Sequence, residues 1–304
     1  MKKTMLAKVQ DYLKQRRALG YQLRGQGYQL LSFARYADGR GHQGALTCSL
    51  ALRWACLPRA ATRLYWAHRL AIVRTFAHHL QLSEPHTQVP ARHLLGPTHR
   101  RRCPHLYTPA QVRALFCRAG QLRGQFRRHT WQTLLGLLAC CGLRISEALR
   151  LKPEDMDWKQ GVLLIRESKC GKTRLVPLHR TALKPLRAYA QRRQERFAWA
   201  QHFFVSQRGQ GMTRNTAEQV FQQLRQGLAF TGYPPRLQDL RHTLACRVLQ
   251  RAQAQGKDAG NHVLILSRFL GHSHVEDTYW YLSALPQLLA KAAARFVLRV
   301  DESA

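Results

Sequence analysis

With 304 residues, 45% of them hydrophobic, the chain is long enough for about two globular domains, each able to bury a core. Lys and Arg number 49 against 16 Asp and Glu, and the formal charge of +33 goes far beyond what solubility requires, so a polyanionic partner is expected, with nucleic acid ahead of a membrane surface. The most apolar run, Leu134 to Cys141, falls well short of the roughly 20 residues a membrane span needs. Lys8, Asp11 and Lys14 interrupt any apolar leader, and Cys48, Cys56, Cys103, Cys117, Cys140, Cys141, Cys170 and Cys246 contain no CxxC pair. The expectation is a cytoplasmic protein with reduced thiols, no membrane association, no metal site and no cofactor.

Helical spacing dominates the start of the chain. Leu6, Val9 and Leu13, then Leu30, Leu31 and Phe33, then Leu64, Leu70, Val73, Phe76 and Leu80 recur between Gly-rich breaks, which predicts an all-helical domain over residues 1–83. Prolines at 85, 90, 97 and 104 and the basic cluster Arg100, Arg101, Arg102 mark residues 84–107 as a linker. A second domain, 108–304, opens at Thr108, which can cap a helix with Pro109 in the first turn and Gln111 completing a capping box. Within it, GVLLIRESKCGKTRLVPL has apolar runs Val162–Ile165 and Leu175–Leu178 around a polar loop, the pattern of a β-hairpin. Helical spacing returns over 180–199, 214–230, 240–252 and 261–270. An amphipathic helix is predicted at 286–300, with Leu288, Leu289, Ala292, Ala293, Phe296 and Val297 on one face.

Breaking a DNA backbone without metal requires an in-line nucleophile, cations for the non-bridging oxygens and an acid for the leaving hydroxyl. Arg144, in CGLRISEALRL, follows a Gly-containing turn and precedes a helix whose Ile145, Leu149 and Leu151 can face the core. Arg241, in RLQDLRHTLA, sits at the start of another apolar-periodic helix. Two such guanidinium forks can grip a phosphate more directionally than lysines would. His272, in FLGHSHVEDTYWYL, can donate to the same phosphate.

GLRISEAL, the SKCGK loop, DLRH, LGH and a Tyr nine residues past that last His, taken jointly, resemble the phage-integrase family of tyrosine recombinases. The resemblance covers about Thr108 to Leu298. It implies a mainly α fold with a small β-sheet, in which a helical, SAM-like core-binding domain and a catalytic domain form a C-shaped clamp on double-stranded DNA. It also implies work as a homotetramer on paired sites in recombination, integration or transposition of mobile DNA. By the family's motifs, Arg144 and Arg241 are the paired catalytic arginines, Lys169 the hairpin lysine, His272 the second-box histidine and Tyr281 the nucleophile. Glu147 matches the acidic residue supporting the first Arg, while Lys172, Arg174 and Arg100–Arg102 are expected DNA contacts. The family's HxxR box has Gln238 where His is usual. Gln cannot exchange a proton near neutral pH, so either His242 serves instead or the chain is a catalytically weak clamp. A type IB topoisomerase is the other alternative. Tyr279, the second phenol near the motif, is read as a packing residue beside Tyr281.

Overall fold

The computed structural model describes residues 3–98, 103–166, 172–230, 232–256 and 259–283. The chain divides into two compact units, Met1–Arg102 and Cys103–Ala304.

The first unit is built from α1 (Met5–Ala18), α2 (Arg24–Gly39), α3 (Cys48–Ala55) and α4 (Arg63–Gln81). Three of these helices start on a threonine: the Thr4, Thr47 and Thr62 hydroxyls accept from the backbone N–H of Ala7, Leu50 and Tyr65, satisfying donors that a helix start leaves open. One core forms where Val9, Leu13, Phe33, Trp54, Val73 and Phe76 meet. The predicted linker is less free than its prolines suggest. Val89 and Leu95 pack on this first core, and Gln88 N–H donates to the Leu46 carbonyl. At its other end Tyr107 is buried in the second unit, its N–H bonded to Thr243 Oγ1 at 3.0 Å. Apolar side chains between prolines were enough to fasten both ends.

The second unit runs α5 (Pro109–Ala119), α6 (Gln125–Cys141), α7 (Ile145–Arg150), a 3-10 turn (Pro153–Asp155), β1 (Met156–Asp157), β2 (Val162–Ile165), β3 (Arg174–Pro177), α8 (Arg180–Phe197), α9 (Arg214–Arg225), α10 (Gln238–Ala254), α11 (Ala259–Leu270) and α12 (Glu276–Ser283). The Thr108–Gln111 capping box forms as expected at the start of α5. The run Leu134–Cys141 lies in α6, with Leu134, Leu135, Leu137, Leu138 and Cys141 all buried.

The hairpin is antiparallel, with Leu163 opposite Val176 and Ile165 opposite Arg174, and β1 adds a third strand on the outer side of β2. Leu163, Ile165 and Val176 face the core while Leu175 faces solvent, the period-two alternation of a half-buried sheet. A smaller apolar cluster, including Ala245, Leu249, Val263, Leu266, Leu270 and Tyr281, joins α10, α11 and α12. No helix among the described residues is long and apolar enough to cross a membrane.

Candidate active site

Gly142 ends α6 with φ +58°, a left-handed conformation that Gly adopts without steric cost, and turns the chain into Leu143 and Arg144. A Cβ there would stand 2.8 Å from Leu270 Cδ2, so the turn packs directly on α11. Arg144 then precedes α7. Its backbone N–H donates to Glu147 Oε2 at 3.0 Å and its Nη1 to Glu147 Oε1 at 2.8 Å, so one carboxylate fixes both backbone and guanidinium. Nη1 and Nη2 also approach the Gly271 carbonyl at 3.4 Å each. The Glu147 support expected from the sequence is therefore formed.

Arg241, in the first turn of α10, is buried with 2% of its surface exposed. Its Nη1 donates to the Gly142 carbonyl and its Nη2 to the Leu270 carbonyl, both at 2.7 Å. The two arginines are thus anchored on neighbouring carbonyls, Leu270 and Gly271, although they stand 97 residues apart in sequence (241 − 144). Those bonds use two of the five N–H donors an Arg carries. Burial, together with the nearby Arg144 charge, lowers the Arg241 pKa to about 10, so it stays cationic at neutral pH.

His272 follows directly. Its Nδ1 lies 2.6 Å from Thr278 Oγ1, and its ring stacks on Tyr281 at 6.0 Å and 22°. Burial and then the Arg241 and Arg144 charges depress its pKa to about 3, leaving the imidazole neutral. Tyr281, on α12, is 2% exposed, and its hydroxyl lies 3.1 Å from His242 Nδ1. Burial pushes the phenol pKa up, opposed by the adjacent Arg241 charge. Burial also takes His242 down to about 4, with Asp239 opposing.

Five residues named from the sequence, Arg144, Arg241, His242, His272 and Tyr281, with Glu147 behind them, therefore come together through direct contacts and neighbouring carbonyls. Others do not join them. Gln238, the first residue of α10, is exposed. Tyr279 does not pack beside Tyr281 as expected: it is 51% exposed, because residues two apart on a helix differ by about 200° in direction. Trp280 takes the packing role, its ring 5.6 Å from those of both His242 and Tyr281. Lys172 is exposed, as a DNA contact would be, whereas Arg174 is only partly exposed and turns its guanidinium inward. Its Nη2 donates to Glu147 Oε2 at 2.8 Å and its Nε to the Phe269 carbonyl at 3.1 Å, with 11% of the side chain exposed. Lys169, Arg100, Arg101, Arg102 and the helix predicted at 286–300 lie outside the described residues.

Burial alone would push the Glu147 carboxyl up, but the Arg174 and Arg144 guanidiniums and the Arg144 N–H hold it at about 2. The anchoring carbonyls of Gly142, Phe269, Leu270 and Gly271 had no sequence signal, since every residue has one. Thr278, which holds His272, was visible only as a neighbour of the tyrosines. Among the described residues no group of His, Cys, Asp or Glu is arranged to hold a metal ion.

Residues 108–287 match the phage integrase family. The chain is 36% identical over 306 residues to the "Putative integrase/recombinase y4rB" of Sinorhizobium fredii, with 97% of each chain covered. It is 31% identical over 217 residues to the tyrosine recombinase XerD of Mycobacterium leprae, covering 67% of this chain and 64% of that one. Among solved structures, the integrase of transposon Tn1549 in complex with transposon right-end DNA superposes with a TM-score of 0.69 at 17% identity, covering 95% of this chain and 99% of that chain.

Proposed function

The chain belongs to the phage integrase family and is a tyrosine-type site-specific recombinase, and from that premise we propose which of its atoms carry the reaction. The Tyr281 Oη attacks a DNA phosphorus and the P–O5′ bond breaks, leaving a 3′-phosphotyrosyl link and a free 5′ hydroxyl. Arg144 and Arg241 hold the non-bridging oxygens, whose charge grows in the pentacoordinate transition state. Lys169 protonates the departing 5′ oxygen, and His272 supports the same phosphate. A 5′ hydroxyl of the partner duplex then reverses the attack, so one phosphodiester replaces another and no external energy source is needed.

The phenol proton goes to His242. A neutral imidazole with Nε2 protonated offers Nδ1 as an acceptor, and the Tyr281 hydroxyl is 3.1 Å from it. The ground-state pKa values oppose transfer, since the phenol is raised and His242 sits at about 4. The phenolic oxygen becomes strongly acidic as its bond to phosphorus forms, so transfer accompanies attack. On this reading Gln238 does not impair the enzyme; the proton work has moved to the next histidine.

The observation that carries the proposal is that 3.1 Å contact, beside two arginines anchored on adjacent carbonyls. Exchange between two duplexes breaks four strands, so four copies acting on paired sites supply four tyrosines. Exposed basic residues among the 49 Lys and Arg, Lys172 among them, meet duplex phosphates of cytoplasmic DNA.

The test is to trap the SDS-resistant protein–DNA adduct on genomic DNA and sequence its ends, which reports activity and target together. Tyr281→Phe is expected to lose the adduct with DNA affinity unchanged, and Tyr279→Phe to keep it. His242→Ala should slow cleavage by about 10²–10⁴-fold while Gln238→His changes it little. No adduct from the wild type would instead favour a DNA-binding clamp without catalysis.

A further inference from the structure

Arg174 opens β3, the strand that follows the hairpin loop, and each nitrogen of its guanidinium donates within the protein. Nη1 and Nη2 donate to the two oxygens of Glu147, at 3.2 and 2.8 Å, in a bidentate fork. Nε turns the other way, to the Phe269 carbonyl at 3.1 Å. Gly271 packs so closely on the same group that a Cβ there would stand 2.6 Å from Nη1. A cation meant for DNA would keep its fork toward solvent; this one is largely enclosed, and all three of its nitrogens donate within the protein.

Arg174 shares Glu147 with Arg144 directly, and its Phe269 contact adjoins the carbonyls that hold both site arginines. Glu147 orients Arg144, and the segment Phe269–Gly271 supplies the carbonyls that hold Arg241 and Arg144. We propose that Arg174 is a positioning residue for strand cleavage, locking the sheet to the carboxylate and to the carbonyl segment on which the two phosphate-binding arginines rest. This inference rests on the reading of Arg144 and Arg241 given above. Electrostatics adds a second effect. Glu147 is shared between two cations, so Arg174 absorbs part of its negative charge and leaves Arg144 more strongly positive toward an incoming phosphate. Without Arg174, the buried carboxylate has only Arg144 to pair with and draws that guanidinium onto itself.

The experiment compares wild type, Arg174→Ala, Arg174→Lys and Arg144→Ala on two versions of the trapped target site. One carries the normal scissile phosphate and the other a neutral methylphosphonate, in which a non-bridging oxygen is replaced by methyl and no charge needs stabilising there. On the normal phosphate both Arg174 variants should cleave about 100-fold or more slower, because Lys cannot reproduce a bidentate fork with a third donor. DNA affinity and its salt dependence should stay at the wild-type level, and on methylphosphonate the deficit should shrink below about tenfold, in parallel with Arg144→Ala.

An equal deficit on both substrates would show a general loss of structure and overturn the proposal. So would a salt slope shallower by about 0.9, the signature of one lost phosphate contact. Retained affinity of Arg174→Lys checks that the fold survives. If the wild type forms adduct and the Arg174 variants match its rate, the positioning role alone fails; if the wild type forms none, the recombinase assignment of these residues fails and this role with it.

Discussion

His242 shows how far a single buried side chain can set behaviour. It is 9% exposed on α10, with the Tyr281 hydroxyl against Nδ1, and Asp239, Arg236 and Arg241 supply the charges around it. Its pKa in the folded chain, about 4, is below the ordinary 6.5. The unfolded chain therefore takes up the proton first as pH falls. His242 costs no stability above pH 6.5 and destabilises progressively between 6.5 and about 4, by about 1.4 kcal/mol for each pH unit. His272 is depressed in the same direction, while Glu147, held at about 2, loses its contribution only at more acid pH. We expect urea unfolding to show the wild type losing about 2 kcal/mol more than His242→Asn between about pH 7.5 and about pH 5. Parallel losses would mean that the imidazole is not held neutral by the fold. The sequence offered His242 as the alternative to the HxxR histidine that Gln238 replaces; its partnership with Tyr281, 39 residues away, needed α10 and α12 to pack.

At the scale of elements, the site hangs on two glycine turns. Gly142 (φ +58°) ends α6 and offers its carbonyl to Arg241, and Gly271 (φ +69°) ends α11 and offers its carbonyl to Arg144. Both press on their surroundings. A Cβ at 142 would meet Leu270 Cδ2 at 2.8 Å and Leu244 Cδ2 at 3.0 Å. The left-handed backbone costs an L-residue about 1–2 kcal/mol and overpacking adds about 1–3, so Gly142→Ala should lose about 2–5 kcal/mol in denaturant unfolding. It should also slow cleavage, by moving the carbonyl that holds Arg241. Wild-type stability in that variant would show that the turn has room to relax.

The elements themselves were unevenly legible. The hairpin announced itself because two short apolar runs around a polar loop are a local signal, and the apolar run Leu134–Cys141 marked a segment that α6 buries. Strand β1, two residues long, and α12, eight residues rich in aromatics, were not anticipated. Neither carries enough periodicity to declare itself, and each exists through pairing or packing with its neighbours.

At the scale of the whole molecule, the charge of +33 governs encounter with DNA. If six or more phosphates are contacted, binding should fall by about a thousandfold or more between about 50 and 200 mM salt. Cleavage should persist in EDTA, because the proposed nucleophile, acid and charge-stabilising groups are all side chains of this chain. Strict dependence on magnesium in the adduct assay would contradict that chemistry.

The joint motifs were sufficient to recognise the family and to nominate candidate reacting residues, and local periodicity to give the mainly helical fold with its small sheet, because each is written in neighbouring positions of one chain. What the tertiary structure alone decided is how those residues are held. Arg144 and Arg241 acquire a common support only when α6, α7 and α10 pack against the end of α11. Tyr281 and Tyr279 separate only when a helix turns them to opposite sides. Arg174, in sequence one more cation expected to meet DNA, turns inward because the fold delivers a carboxylate and a carbonyl to the same place. Such partnerships join residues up to 127 positions apart and use backbone groups that every residue possesses, so no local pattern can encode them.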